Sequence, residues 1–153
     1  MINFIKSFCF YIVFYLGTTC YFLLFSPVRF FSTKLVITLS SFWTTCVIGL
    51  AKLILGINFE IEGKNNIPSS ESFLVASNHQ AAWETFFFGS FFPGSIFILK
   101  EELKKIPIFS QYFKKLGFIF VKRDEAFSSL RIVLKSIKGL MNGNKKIFVI
   151  FPE

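Results

Sequence analysis

The chain holds a single histidine, His79, in the segment Ser77-Asn78-His79-Gln80-Ala81-Ala82-Trp83-Glu84-Thr85, and Glu84 follows it five residues later. An imidazole and a carboxylate at that spacing can work as a pair. If the turn between them is tight, the carboxylate accepts a hydrogen bond from one ring nitrogen and fixes the tautomer, leaving the other nitrogen as a base. Such a dyad suits deprotonation of a hydroxyl. A lone histidine is more often structural. This one, however, comes directly after a candidate buried strand, Phe73–Ala76, and strand ends in α/β folds are where substrates meet reactive groups.

Other chemistries lack their parts. One histidine, with Cys9, Cys20 and Cys46 all inside apolar stretches, cannot build even a three-ligand zinc site, so no metal is expected. No Gly-x-Ser-x-Gly turn and no P-loop are present. A base without a protein nucleophile implies that the nucleophile comes from the substrate.

The elements that must position this pair follow an α/β pattern. Strands are expected at 58–62, 73–76, 95–99, 118–121 and 147–151, and helices at 83–91, 101–116 (in two pieces, broken at Pro107) and 125–141. In the last helix, Ala126, Leu130, Val133, Leu134, Ile137, Leu140 and Met141 make one apolar face, with Arg131, Lys135 and Lys138 opposite. Asn142-Gly143 stops it. The alternation implies a sheet with helices packed on it.

The N-terminal third is different. Residues 1–59 hold no acid and only Lys6, Arg29, Lys34 and Lys52, within a chain of net charge +8. Ser7–Phe25 and Leu35–Ala51 carry no charge, and roughly 20 apolar residues span a bilayer as a helix. No small-x-small cleavage site follows the first run, which favours a retained anchor over a signal peptide. Positive charge joined to an acid-free apolar third points to membrane lipids rather than nucleic acid. The two runs form either a transmembrane hairpin or an element dipping into one leaflet; charges flank both ends and leave the topology open. The expected organisation is thus membrane helices over 1–56 and a catalytic domain over 57–153.

With the motifs in view, the chain resembles the 1-acyl-sn-glycerol-3-phosphate acyltransferases among the glycerolipid acyltransferases. Asn78 through Thr85 is similar to the family's first motif, His, four residues and an acid, with Glu84 in place of the commoner Asp. Phe97-Ile98-Leu99-Lys100-Glu101-Glu102-Leu103 and Ile106-Pro107-Ile108-Phe109 resemble its Lys-x-Glu-Leu and Ile-Pro segment, with Ser110 where Gly is usual. Gly117-Phe118-Ile119-Phe120-Val121-Lys122-Arg123 resembles the second motif. Phe151-Pro152-Glu153 resembles the opening of a third, Phe-Pro-Glu-Gly-Thr-Arg, so the domain is expected to be incomplete at its C-terminus.

The resemblance implies that His79 deprotonates the sn-2 hydroxyl of lysophosphatidic acid while Glu84 orients it. The hydroxyl oxygen attacks the thioester of acyl-CoA or acyl-acyl carrier protein, with no cofactor and no covalent acyl-enzyme. It places Arg123 on the substrate phosphate and adds Asn78 and Gly117 to the substrate-binding set. Lys100 and Lys122 either assist Arg123 or are solvated strand-end lysines. A bacterial inner-membrane location, with the active site facing the cytoplasm, belongs to the same implication. The alternatives are an acyltransferase for another lysolipid and a non-catalytic, membrane-anchored remnant.

Overall fold

An antiparallel helical hairpin opens the chain in the computed structural model, which describes residues 2–30, 32–106, 109–122, 126–141 and 145–152. Helix α1 (Ile2–Leu24) leads through a 3-10 turn at Ser26–Phe30 into α2 (Thr33–Leu50). Ser32 starts α2 by accepting a hydrogen bond from the Leu35 N–H at 3.3 Å, which satisfies one of the orphan donors of a helix N-terminus. The last turn widens to π geometry over Ala51–Leu55 and ends at Gly56, whose φ of 74° lies in the left-handed region.

Aromatic contacts hold the hairpin. The Tyr21 hydroxyl donates to the Leu39 carbonyl at 2.6 Å, and its ring stacks on Trp43 with centroids 4.9 Å apart. Gly17 makes room for that indole, because a Cβ there would lie 3.2 Å from its ring. Ile2–Leu24 and Thr33–Leu55 are each 23 residues long and apolar enough to cross a membrane. At 1.5 Å per residue each reaches about 35 Å, beyond the ~30 Å of a hydrocarbon core. Phe4, Phe8, Tyr15, Leu16 and Leu23 stay exposed along α1, a surface suited to lipid rather than water.

Helix α3 (Ala82–Phe91) packs with this hairpin, in one compact unit made of Met1–Ile67 and Ala82–Pro93. Small residues bring α2 and α3 close: Ser41 donates to the Gly89 carbonyl at 3.3 Å, and the Thr45 and Ser90 hydroxyls meet at 2.8 Å. By contact, α3 groups with the N-terminal helices. The strand expected at 58–62 does not form. Residues 57–63 have no regular structure, because Phe59 packs edge-on against Trp83 and Phe87 of α3 and Gly63 turns the chain at φ 67°.

The second unit, Pro68–Ala81 with Gly94–Glu153, holds a four-stranded parallel sheet. Its strands are β1 (Phe73–Ala76), β2 (Ile96–Lys100), β3 (Ile119–Val121) and β4 (Ile147–Ile150), in spatial order β1-β4-β2-β3. The central strands read Ile-Phe-Val-Ile and Ile-Phe-Ile-Leu, the continuous apolar runs of strands buried on both faces. On one face Ile96, Ile98, Ile119 and Phe148 pack with Val133, Ile137 and Leu140 of α5 (Ala126–Leu140). Leu130, Leu134 and Met141, expected on that face, are exposed. The stripe of α5 that meets the sheet is narrower than its apolar composition suggests.

Helix α4 (Phe109–Lys115), preceded by a 3-10 turn at Glu101–Lys105, connects β2 to β3. The two pieces match the expected broken helix; Pro107, assigned the break, lies outside the described residues. So do Glu125 and the Asn142-Gly143 stop of α5.

Lys145 clamps the entrance to the β1–β4 pair. Its ammonium donates to the Pro68 and Ser69 carbonyls, both at 2.9 Å, and sits 5.5 Å from the centre of the Phe73 ring. Lys145→Met keeps the stem and removes the charge, and is expected to cost about 1 kcal/mol, read as a lowered midpoint in thermal unfolding.

Candidate active site

Parallel pairing puts the carboxyl ends of all four strands on one edge of the sheet, and the sequence-predicted residues divide according to that edge. His79 lies on it. β1 pairs with β4 in the register Ala76↔Ile150, and the Ser77 N–H extends the ladder by donating to the Ile150 carbonyl at 3.1 Å. Two residues later His79 stands half-buried, with its Nδ1 shut off from solvent. Its ring lies against Phe151, the residue after β4, with centroids 4.3 Å apart and planes tilted by 30°. Asn78 beside it is exposed, and its carbonyl accepts from the Ser77 hydroxyl at 3.1 Å.

Glu84 is on the next element, in the first turn of α3, where the helix dipole favours a carboxylate. Behind it Trp83, Phe87 and Phe91 stack in a row at helical spacing, with successive centroids 5.2 and 5.4 Å apart.

Lys100 ends β2 and is registered with Val121, so Lys122 follows directly beyond the end of β3. Both side chains are exposed. Strands lie ~4.8 Å apart. Along the edge, Lys100 is thus about 10 Å from the end of β1 and Lys122 about 14 Å, which makes Lys100 the nearer cation. The Lys122 carbonyl accepts a short hydrogen bond from buried Ser129 of α5, and this fixes the chain as it leaves β3. Arg123 lies outside the described residues.

Gly117 is not brought to this edge. It precedes β3, at the opposite end of the strand, and stops α4. With φ at 77°, its N–H donates to Lys114 O at 3.1 Å, and the Phe118 N–H donates to Phe113 O at 3.0 Å. The Phe113 and Phe118 rings stack at 5.4 Å over this turn, completing a Schellman ending. The conformation requires glycine for the backbone, which accounts for the residue without a substrate contact.

No cluster of three or more His, Cys, Asp or Glu able to hold a metal occurs among the described residues. Sequence reasoning missed the Phe151 ring, which it read only as the end of the last strand and the start of a motif. The missing signal was the pairing of first strand with last, which no local pattern records.

His79 thus stands at the carboxyl edge of the sheet, and Glu84 opens the helix that follows it in sequence. A family model described as Acyltransferase matches residues 58–153, and the chain belongs to that family.

Among its relatives is a 1-acyl-sn-glycerol-3-phosphate acyltransferase of Pseudomonas aeruginosa, 32% identical over 111 residues, 72% of this chain and 42% of that protein. One of the same name from Saccharomyces cerevisiae is 30% identical over 117 residues, 72% of this chain and 37% of the relative. The chain thus spans about two fifths of the length of these curated relatives. The crystal structure of the 1-acyl-sn-glycerophosphate (LPA) acyltransferase PlsC from Thermotoga maritima superposes with a TM-score of 0.62 at 27% identity, over 95% of this chain and 59% of that one.

Proposed function

We propose that this chain carries the catalytic base of a 1-acyl-sn-glycerol-3-phosphate O-acyltransferase, which moves an acyl group from acyl-CoA or acyl-acyl carrier protein to lysophosphatidic acid and releases phosphatidic acid. The observation that carries this reading is the seat of His79, directly after β1 at the carboxyl edge, within His-Gln-Ala-Ala-Trp-Glu. The imidazole takes the proton of the acceptor hydroxyl as its oxygen attacks the thioester carbonyl. Collapse of the tetrahedral adduct expels the thiolate, which recovers the proton from the imidazolium. Glu84 holds the ring in the required tautomer.

Arg123 binds the phosphate bidentately, with Lys100 and Lys122 adding charge at the same edge and Asn78 lining it. The hairpin of α1 and α2 keeps the enzyme on the bilayer where acceptor and product reside. A bacterial inner membrane, with the site on its cytoplasmic side, supplies both soluble donors.

The test is an acceptor panel with membranes carrying the full chain. Lysophosphatidic acid should be acylated about 10- to 100-fold faster than monoacylglycerol, which has no phosphate, as loss of a charge-assisted hydrogen bond of about 1.5–3 kcal/mol implies. Arg123→Ala should erase most of that preference. Equal rates on both acceptors would overturn the headgroup assignment, and acylation of neither would overturn the activity.

A further inference from the structure

We propose that Phe151 is a positioning residue for the base, holding the plane of the His79 imidazole by packing its ring against it. The proposal deepens the acyl-transfer reading and rests on it for its kinetic consequence. The contact follows from the backbone. His79 belongs to residues 77–81, a stretch with no regular structure. Phe151 follows β4, a central strand in which Phe148 and Val149 are almost wholly buried. The hydrogen bond from Ser77 N–H to the Ile150 carbonyl carries the parallel register one step past β1. It thereby sets the two departing chains side by side, and their rings meet at 4.3 Å.

A 30° tilt at that separation is a near-stacked arrangement, in which a flat ring limits rotation of its neighbour. An imidazole χ2 torsion is broad by itself. Removing the flat surface lets the ring swing away from the line between acceptor hydroxyl and base. A base out of line by about 1 Å can lose about 100-fold in rate. The loss belongs in kcat, because Phe151 binds neither substrate in this account.

The variants Phe151→Leu and Phe151→Tyr separate this role from simple packing. Leucine keeps apolar bulk without a flat ring; tyrosine restores the ring. Phe151→Leu should lower kcat about 10- to 100-fold with KM for either substrate unchanged, and Phe151→Tyr should stay near the parent rate. Because His79 is the sole histidine, its ring protons give one resolvable set of NMR signals in the full chain purified without a histidine tag. Those signals should be moved by the Phe151 ring current in the parent and in Phe151→Tyr, and should relax toward ordinary histidine positions in Phe151→Leu. This arm reads the stack without turnover, so a failure of the acyl-transfer reading leaves it decisive. Unchanged His79 signals in Phe151→Leu would overturn the proposal, as would a fall in KM-linked binding with kcat intact.

Discussion

Gly89→Leu is expected to unseat α3 from α2 and to take acyl transfer down by about 100-fold with it. A Cβ at position 89 would lie 3.0 Å from the Thr44 methyl, tighter than most side-chain contacts, and the longer leucine side chain would have to displace it further. Small residues let α2 and α3 approach closely, so an added side chain must displace a neighbour. Overpacking such a contact costs about 1–3 kcal/mol. On the proposed role of Glu84, which α3 carries in its first turn, the consequence reaches the chemistry.

Alanine at the same position is the finer probe. Gly→Ala inside a helix is worth up to about 1 kcal/mol in propensity, which partly offsets the clash. Gly89→Ala alone should therefore be mildly destabilised. Adding Thr44→Ala, which clears the methyl, should bring the midpoint of thermal unfolding back to the parent value or above it. Parent-like stability and transfer in Gly89→Leu would show that the α2–α3 contact does not position the acid.

The largest kinetic effect is expected at the base. His79→Ala should lower kcat by about 10²–10⁴-fold, the range typical of a general base, with little change in KM for the acyl donor. Glu84→Gln keeps the size and the helix start but removes the charge proposed to steady the imidazolium, and should cost about 100-fold. Glu84→Asp should retain most activity, since a modest shift of the backbone recovers the shorter reach. Initial rates on lysophosphatidic acid, with each variant confirmed folded, check all three. A Glu84→Gln variant as fast as the parent would remove the acid from the mechanism.

Much of this arrangement was legible in the sequence because its signals are local. Phe73–Ala76 was readable as a strand from its apolar run. The stop after α4 was readable from Gly117, and the Schellman geometry there supplies the reason. The resemblance to the acyltransferase motifs rested on short segments that lie at strand ends, and the family assignment agrees with it.

What was misread depends on partners distant in sequence. Residues 58–62 alternate as a strand would, yet Phe59 is taken by the aromatic row of α3, and the segment stays irregular. Leu130 and Leu134 have the spacing of a core face, but Val133, Ile137 and Leu140 are the residues that cover the sheet. The order β1-β4-β2-β3, which brings the last strand beside the first and Phe151 onto His79, is a property of the whole sheet. So is the membership of α3 in the helical unit: its small residues Gly89 and Ser90 gain meaning only against Ser41, Thr44 and Thr45 of α2.

The most direct test is acyl transfer from labelled acyl-CoA or acyl-acyl carrier protein to 1-acyl lysophosphatidic acid, by membranes carrying the full chain beside membranes carrying His79→Ala. The account predicts labelled phosphatidic acid from the parent and a loss of at least about 100-fold in the variant. Equal product from both, or none from a parent confirmed present and folded, would contradict it.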